Sequence, residues 1–251
     1  MWGDRVIVER KEYLEKLIAW KDKKLIKIVT GVRRCGKSML LEIYQNYLKQ
    51  HNVEKEQIIA INFENLDYEE LTDYKKLYNY LKEHLVTNKM TYIFLDEIQN
   101  VPDFPKVLDS LYIKNNVDIY VTGSNAYMLS SEIATMISGR YVQIEMLPLS
   151  FREYMESTGS MNDRGIKYAE YLQNSSFPYT LELKNQPNEI REYLEGIYNT
   201  IVVKDIVNRK KITDTMMLKS VLQFIFDNIG NPLSSKKIAD TMTSAGRKID
   251  T

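Results

Sequence analysis

The chain has 251 residues, 44% of them apolar and 27% charged, a composition that gives an ordinary globular protein room for one large or two modest domains. Its 34 Lys and Arg balance 34 Asp and Glu, which excludes a global field drawing it to nucleic acid or membrane and leaves only local patches for that purpose. One cysteine excludes an internal disulfide framework and fits a reducing compartment.

The opening Met1-Trp2-Gly3-Asp4-Arg5 lacks the basic and then apolar profile of a signal peptide, and no apolar run is long enough to span a bilayer. The expectation is a cytoplasmic protein with no membrane partner. In Lys11 to Trp20, Tyr13, Leu14, Leu17 and Ile18 recur at helical spacing. That helix either flanks a bound base or simply covers a sheet.

Leu25 to Thr30 reads as an apolar strand, and Gly31-Val32-Arg33-Arg34-Cys35-Gly36-Lys37-Ser38 follows it. A helical pattern then begins, with Leu40, Ile43, Tyr44, Tyr47 and Leu48 on one face. The spacing G-x-x-x-x-G-K-[ST] between strand and helix is that of a Walker A phosphate loop. Gly31 and Gly36 allow successive N–H groups to turn inward as an anion nest, and the next helix aims its positive end at the same phosphates. The predicted nucleotide-binding set is therefore Gly31, Val32, Arg33, Arg34, Cys35, Gly36, Lys37, Ser38 and Met39, with Lys37 on the β- and γ-phosphates and the Ser38 hydroxyl on magnesium. Cys35, beside a helix N-terminus, is expected to have a lowered thiol pKa and to be shielded by nucleotide from alkylation.

Gln57 to Phe63 reads as a buried parallel strand. Asp73 to Val86 reads as a helix whose stripe is Tyr74, Leu77, Tyr78, Leu81 and Leu85. Thr91 to Leu95 is a strand ending in Asp96 and Glu97. Two acids after a strand are common in surface turns, but downstream of a phosphate loop they divide the chemistry. Asp96 would hold magnesium and Glu97 would polarise the attacking water.

Pro102 to Tyr112 predicts a short helix, and Val117 to Gly123 a fourth strand ending in Ser124 and Asn125. These two side chains either hydrogen-bond the γ-phosphate or the water, or serve as ordinary turn and cap chemistry. A helix from Tyr127 to Ile137 stops at Ser138-Gly139-Arg140, and Tyr141 to Leu147 alternates like an edge strand. Five unbroken strand and helix alternations predict an α/β fold, a doubly wound parallel sheet of the P-loop NTPase kind. Most of the 18 tyrosines fall at helical spacing and are expected to coat core faces.

Pro148 ends that pattern, and Ser150 with Glu153 predicts a capping box. Helices are expected from Arg164 to Asn174 and from Glu189 to Arg209, separated by a Pro-bearing loop, Ser175 to Asn188. A helix from Asp214 to Asn228, a second from Lys236 to Thr243 capped by Ser234 or Ser235, and a turn at Ser244-Ala245-Gly246 into a third at Arg247 suggest a helix-turn-helix. Such a packing either meets DNA or binds nothing. The predicted domains are thus 1–148, the nucleotide-binding core; 149–212, a helical lid or linker; and 213–251, a partial winged helix-turn-helix. The sequence stops where the third helix should begin its second turn, which reads as a fragment.

Taken together, GVRRCGKSMLL, YIFLDEIQN, VTGSN, SGRY, LPLSFREY and YNTIVVKDIVNR resemble the AAA+ superfamily ATP-binding proteins of bacteria and archaea that carry a helical, winged-helix-bearing domain. The glycine and acid motifs are widely shared, whereas the combination of DEIQ, GSN, SGRY and PLSF is far more specific. The resemblance implies a sheet ordered 5-1-4-3-2, ATP and Mg2+ as ligands, Asn125 as a sensor and Asn62 as a polar switch residue. It also puts Arg140 in the place of an arginine finger acting across a boundary between identical subunits; the plain alternative is a cation at the negative end of its helix. Arg152 and Arg191 both qualify as a second sensor.

Two functions follow. One is a Mg-dependent ATPase that moves the helical region. The other is a slow, ATP-controlled regulator that presents the winged helix to DNA or to a protein partner.

Overall fold

The computed structural model describes residues 6–124, 137, 139–159, 163–184, 186–201, 206–207, 212–244 and 246. Its centre is a five-stranded parallel sheet of β1 (Ile26–Gly31), β2 (Ile58–Asn62), β3 (Thr91–Asp96), β4 (Val117–Ser124) and β5 (Tyr141–Met146), ordered β2-β3-β4-β1-β5. This is the expected order, read from the opposite edge. The helices of the core are α1 (Lys11–Ala19), α2 (Lys37–Gln50), α3 (Tyr74–Glu83) and α4 (Phe104–Tyr112).

Alternation along the strands divides the core into two faces. On β1, Ile26 and Ile28 pack with Leu77 and Leu81 of α3 and with Val107, Leu108 and Leu111 of α4. Val29 packs the other way, with Leu17 of α1 and Leu40, Tyr44 and Leu48 of α2. Both faces of β1 are therefore covered, which suits a central parallel strand.

Lys27 breaks the apolar reading of that strand. It is fully buried and pairs with buried Asp118 of β4, while its Nζ also donates to the Lys23 carbonyl at 2.7 Å. Asp118 in turn accepts from Asp22 N–H at 2.9 Å and from the Tyr120 hydroxyl at 2.8 Å. β2 lies at the edge where the expected order puts it, and it is less covered than its continuously apolar run suggested, with Ala60 exposed.

After β5 come α5 (Phe151–Thr158), α6 (Arg164–Asn174), a 3-10 turn (Pro178–Leu181) and α7 (Pro187–Thr200). The predicted capping box closes α5: the Ser150 hydroxyl accepts from Glu153 N–H, and the Glu153 carboxylate accepts from Ser150 N–H at 2.8 Å. The chain divides into two compact units, Met1–Glu192 and Tyr193–Thr251. In the second unit, α8 (Thr215–Asp227) is capped by Asp214 and α9 (Ser235–Ser244) by Ser234, whose hydroxyl accepts from Lys237 N–H at 3.1 Å. The helix predicted at 127–137, apart from buried Ile137, and the helix predicted from 247 lie outside the described residues. Among the described residues no helix is long and apolar enough to cross a membrane.

Candidate functional site

The loop between β1 and α2 is shaped by two glycines for two different reasons. A Cβ on Gly31 would lie 2.3 Å from the Met146 carbonyl oxygen and 2.8 Å from Cys35 Sγ, so the backbone passes where no side chain fits. Gly36, at φ 103°, takes the left-handed conformation that opens α2 with no side-chain cap. Gly36 has no side chain to take up the amides at this helix start, and the Lys37 N–H meets the Cys35 sulfur. Arg34 is also left-handed, at φ 65°, and with Val32 it is exposed on the loop. Arg33 is partly buried, and Met39 sits partly buried in the first turn of α2.

Lys37 is only 5% exposed. Its Nζ donates to the Gly31 and Val32 carbonyls at 3.3 and 3.4 Å and lies 3.6 Å from Glu97 Oε1. Two motifs far apart in sequence thus meet through one ion pair.

β3 delivers the acids. Asp96 is buried and accepts hydrogen bonds from the hydroxyls of Ser38 and Thr122. Burial pushes its carboxyl above the usual carboxylate range; the Glu97 charge adds to this, while the two hydroxyls and Lys37 oppose it. Glu97 occupies the left-handed region, φ 54° and ψ 46°, a strained position for a non-glycine residue. Its N–H donates to Thr122 Oγ1 at 2.9 Å, and its carboxylate accepts from the Gln99 side-chain amide.

Thr122 and Gln99 were missed by sequence reasoning. Thr122 lies one step beyond the Leu95–Val121 pair of the β3–β4 ladder, so it was findable once those strands were known to be neighbours. Gln99 stood inside the motif DEIQ with no role attached. Its Oε1 is buried without a hydrogen-bond partner, and a flip of the amide would turn oxygen toward the Glu97 carboxylate.

The other predicted residues are distributed differently. Asn125 lies outside the described residues, as does the Ser124 side chain. Asn62 uses its Oδ1 locally, accepting from Glu64 N–H at 2.8 Å. Arg140 is at the far end of the sheet: its carbonyl accepts from Ile26 N–H at the start of β1, whereas the phosphate loop leaves the other end. Its guanidinium pairs with Asp109 and lies 5.4 Å from the Tyr112 ring centroid. Arg152 pairs with Glu156 at 3.1 Å on α5, and Arg191 is exposed on α7.

The expectation of a lowered thiol pKa at Cys35 is overturned. The thiol is fully buried, and burial pushes its pKa up, outweighing the charges of Lys37 and Arg10. Nucleotide is not needed to shield a sulfur that the fold already covers.

The residues present suit a nucleoside triphosphate with magnesium. Lys37 and the start of α2, which no side chain of Gly36 caps, suit phosphate, and Ser38 and Asp96 offer the hard oxygen ligands that Mg2+ takes together with phosphate oxygens.

The family model described as an AAA domain matches residues 23–155, just over half of the chain. The chain belongs to this AAA family. Two curated relatives are themselves uncharacterized: a Haemophilus influenzae protein, 38% identical over 246 residues, and a Methanocaldococcus jannaschii protein, 31% identical over 243. These alignments take in 96% and 89% of the chain but only 60% and 51% of the relatives' lengths. Among solved structures, the Walker-type ATPase of Pyrococcus abyssi is similar in fold, with TM-score 0.61 over 100% of this chain and 89% of that one at 14% identity. The core of this AAA protein is thus a P-loop NTPase sheet with the glycine loop at the carboxyl end of β1, between β4 and β5.

Proposed function

We propose that this AAA domain binds ATP with Mg2+ and hydrolyses it. The observation that carries the reading is the convergence of Lys37, Ser38, Asp96 and Glu97 at the end of β1 and β3, with Lys37 within 3.6 Å of the glutamate. The description of the Pyrococcus neighbour as a Walker-type ATPase points the same way. Ser38 and Asp96 would hold the metal, whose chemistry is to neutralise charge across the phosphate oxygens. Lys37 would leave the loop carbonyls for the phosphates. That exchange frees Glu97 to orient a water, and the amides from Gly31 to Met39 hold the leaving group.

Glu97→Gln tests the assignment. Removing a general base typically costs 10²–10⁴-fold, so phosphate release should fall by about that factor while Mg·ATP still binds in a calorimetric titration. Turnover unaffected by the substitution would sink the role of Glu97, and a wild-type titration with no heat would sink the whole reading.

A second reading is favoured by the closure of Lys37 on Glu97. In it the protein is a slow, ATP-controlled switch that presents its C-terminal helices to DNA or to a protein partner. Steady-state turnover measured with and without DNA separates the two: turnover that is negligible in both conditions, with ATP still bound, favours the switch.

A further inference from the structure

Arg10 belongs to none of the nucleotide motifs, yet it touches their frame at three places. It opens α1 in left-handed backbone, φ 52° and ψ 48°, and is 3% exposed. Nη1 donates to the Cys35 carbonyl in the phosphate loop at 2.9 Å. Nη2 donates to the Leu147 carbonyl at 2.5 Å and the Pro148 carbonyl at 3.4 Å, where the chain leaves β5. Nε donates to Glu153 Oε1 at 2.8 Å, and the other oxygen of that carboxylate accepts from Ser150 at the start of α5.

Only a planar fork of donors reaches such a set. A lysine would supply one point charge and lose most of it. The grip on Cys35 also has a directional consequence. A trans peptide holds its C=O and N–H on opposite sides, so fixing the Cys35 carbonyl on Arg10 turns the Gly36 N–H away from Arg10. The Gly36 amide belongs to the set that phosphate would meet.

We infer that Arg10 is a positioning residue for the nucleotide loop and the strut through which occupancy of that loop is transmitted to α5. A shift of the Cys35–Gly36 peptide on phosphate binding changes the bond to Nη1. The same rigid guanidinium then carries the change to Glu153, whose carboxylate caps the helix. The inference deepens the nucleotide reading and rests on it.

Cys35, the sole cysteine and fully buried, gives a readout that needs no nucleotide. Maleimide labelling of the native protein reports local opening of the loop, and urea midpoints measured alongside separate that from global unfolding. Arg10→Ala and Arg10→Lys should label at least about tenfold faster than wild type beyond any increase due to lower stability, with Arg10→Lys deciding the matter if Arg10→Ala does not fold. Glu153→Gln keeps the hold on the loop and should label at the wild-type rate, but the change in hydrogen exchange of α5 that Mg·ATP produces in wild type should be lost. Wild-type labelling by Arg10→Lys overturns the clamp, and an unchanged α5 response in Glu153→Gln overturns the strut. Fast labelling of the Arg10 variants in a protein that binds no Mg·ATP supports the clamp and sinks the nucleotide reading instead.

Discussion

Thr122 illustrates how much one hydroxyl does in this site. It donates to Asp96 Oδ1 and accepts from the Glu97 N–H, so it holds both acids in register and supports the strained backbone at 97. Thr122→Val keeps the shape and removes both bonds. A buried amide and a buried carboxylate oxygen are left unmade, a loss of roughly 1–3 kcal/mol in stability for such a group. We expect a lower urea midpoint and a fall in turnover, with Mg·ATP affinity the least affected. An unchanged midpoint would mean that water replaces the hydroxyl at no cost. Cys35 teaches the opposite lesson about sequence reading. Its place beside a helix N-terminus predicts an acidic thiol, but the apolar packing of Val29, Leu40 and Tyr44 around it decides the direction. Neighbours in sequence were legible; the side chains that bury the thiol were not.

At the scale of elements, the strands and helices were legible wherever periodicity was strong. The stripe Leu40, Tyr44 and Leu48 is the buried face of α2, and Ser150 with Glu153 caps α5 as their spacing predicts. The strand order came with the family resemblance and put β2 at an edge; what remained hidden was which side chains meet across it, and Lys27 looks like an accident in an apolar run until Asp118 of β4 is placed beside it. That pair sits between β1 and the turn at Asp22, with Tyr44 and Tyr120 joined by a 2.9 Å hydroxyl contact next to it. Lys27→Met removes one partner and leaves a buried carboxylate. The expected cost is about 3–5 kcal/mol, read from urea unfolding at neutral pH. A shift well under 1 kcal/mol would show that Asp118 is held adequately by Asp22 and Tyr120 alone.

At the scale of the molecule, the strand order places Arg140 and the phosphate loop at opposite ends of β1. Six residues of parallel strand span about 17 Å, so Arg140 does not serve its own nucleotide. An arginine finger at this position would serve a nucleotide held by a second copy. Its pair with Asp109 is partly exposed, the kind that contributes little and is readily exchanged for a phosphate. Mixing Lys37→Ala with Arg140→Ala tests this directly. Each variant alone should be nearly inactive, and the mixture should recover a fraction of wild-type turnover, because an intact loop on one copy meets an intact arginine on another. No recovery, with full activity of Arg140→Ala alone, would leave Arg140 as a local ion pair. The alternation of strands and helices, with the glycine loop after the first core strand, announces the P-loop class from the chain itself.

The same strand order governs how the chain comes into being. β1 is encoded first, yet both of its hydrogen-bonding neighbours, β4 and β5, are the last strands to emerge during synthesis. A nascent chain therefore carries the glycine loop with Arg10 already made but with no strand beside β1 until Val117 and the rest of β4 emerge, since long-range parallel pairing must wait for distant residues. The ribosome makes the nucleotide grip early, and only the arrival of the closing strands frames it.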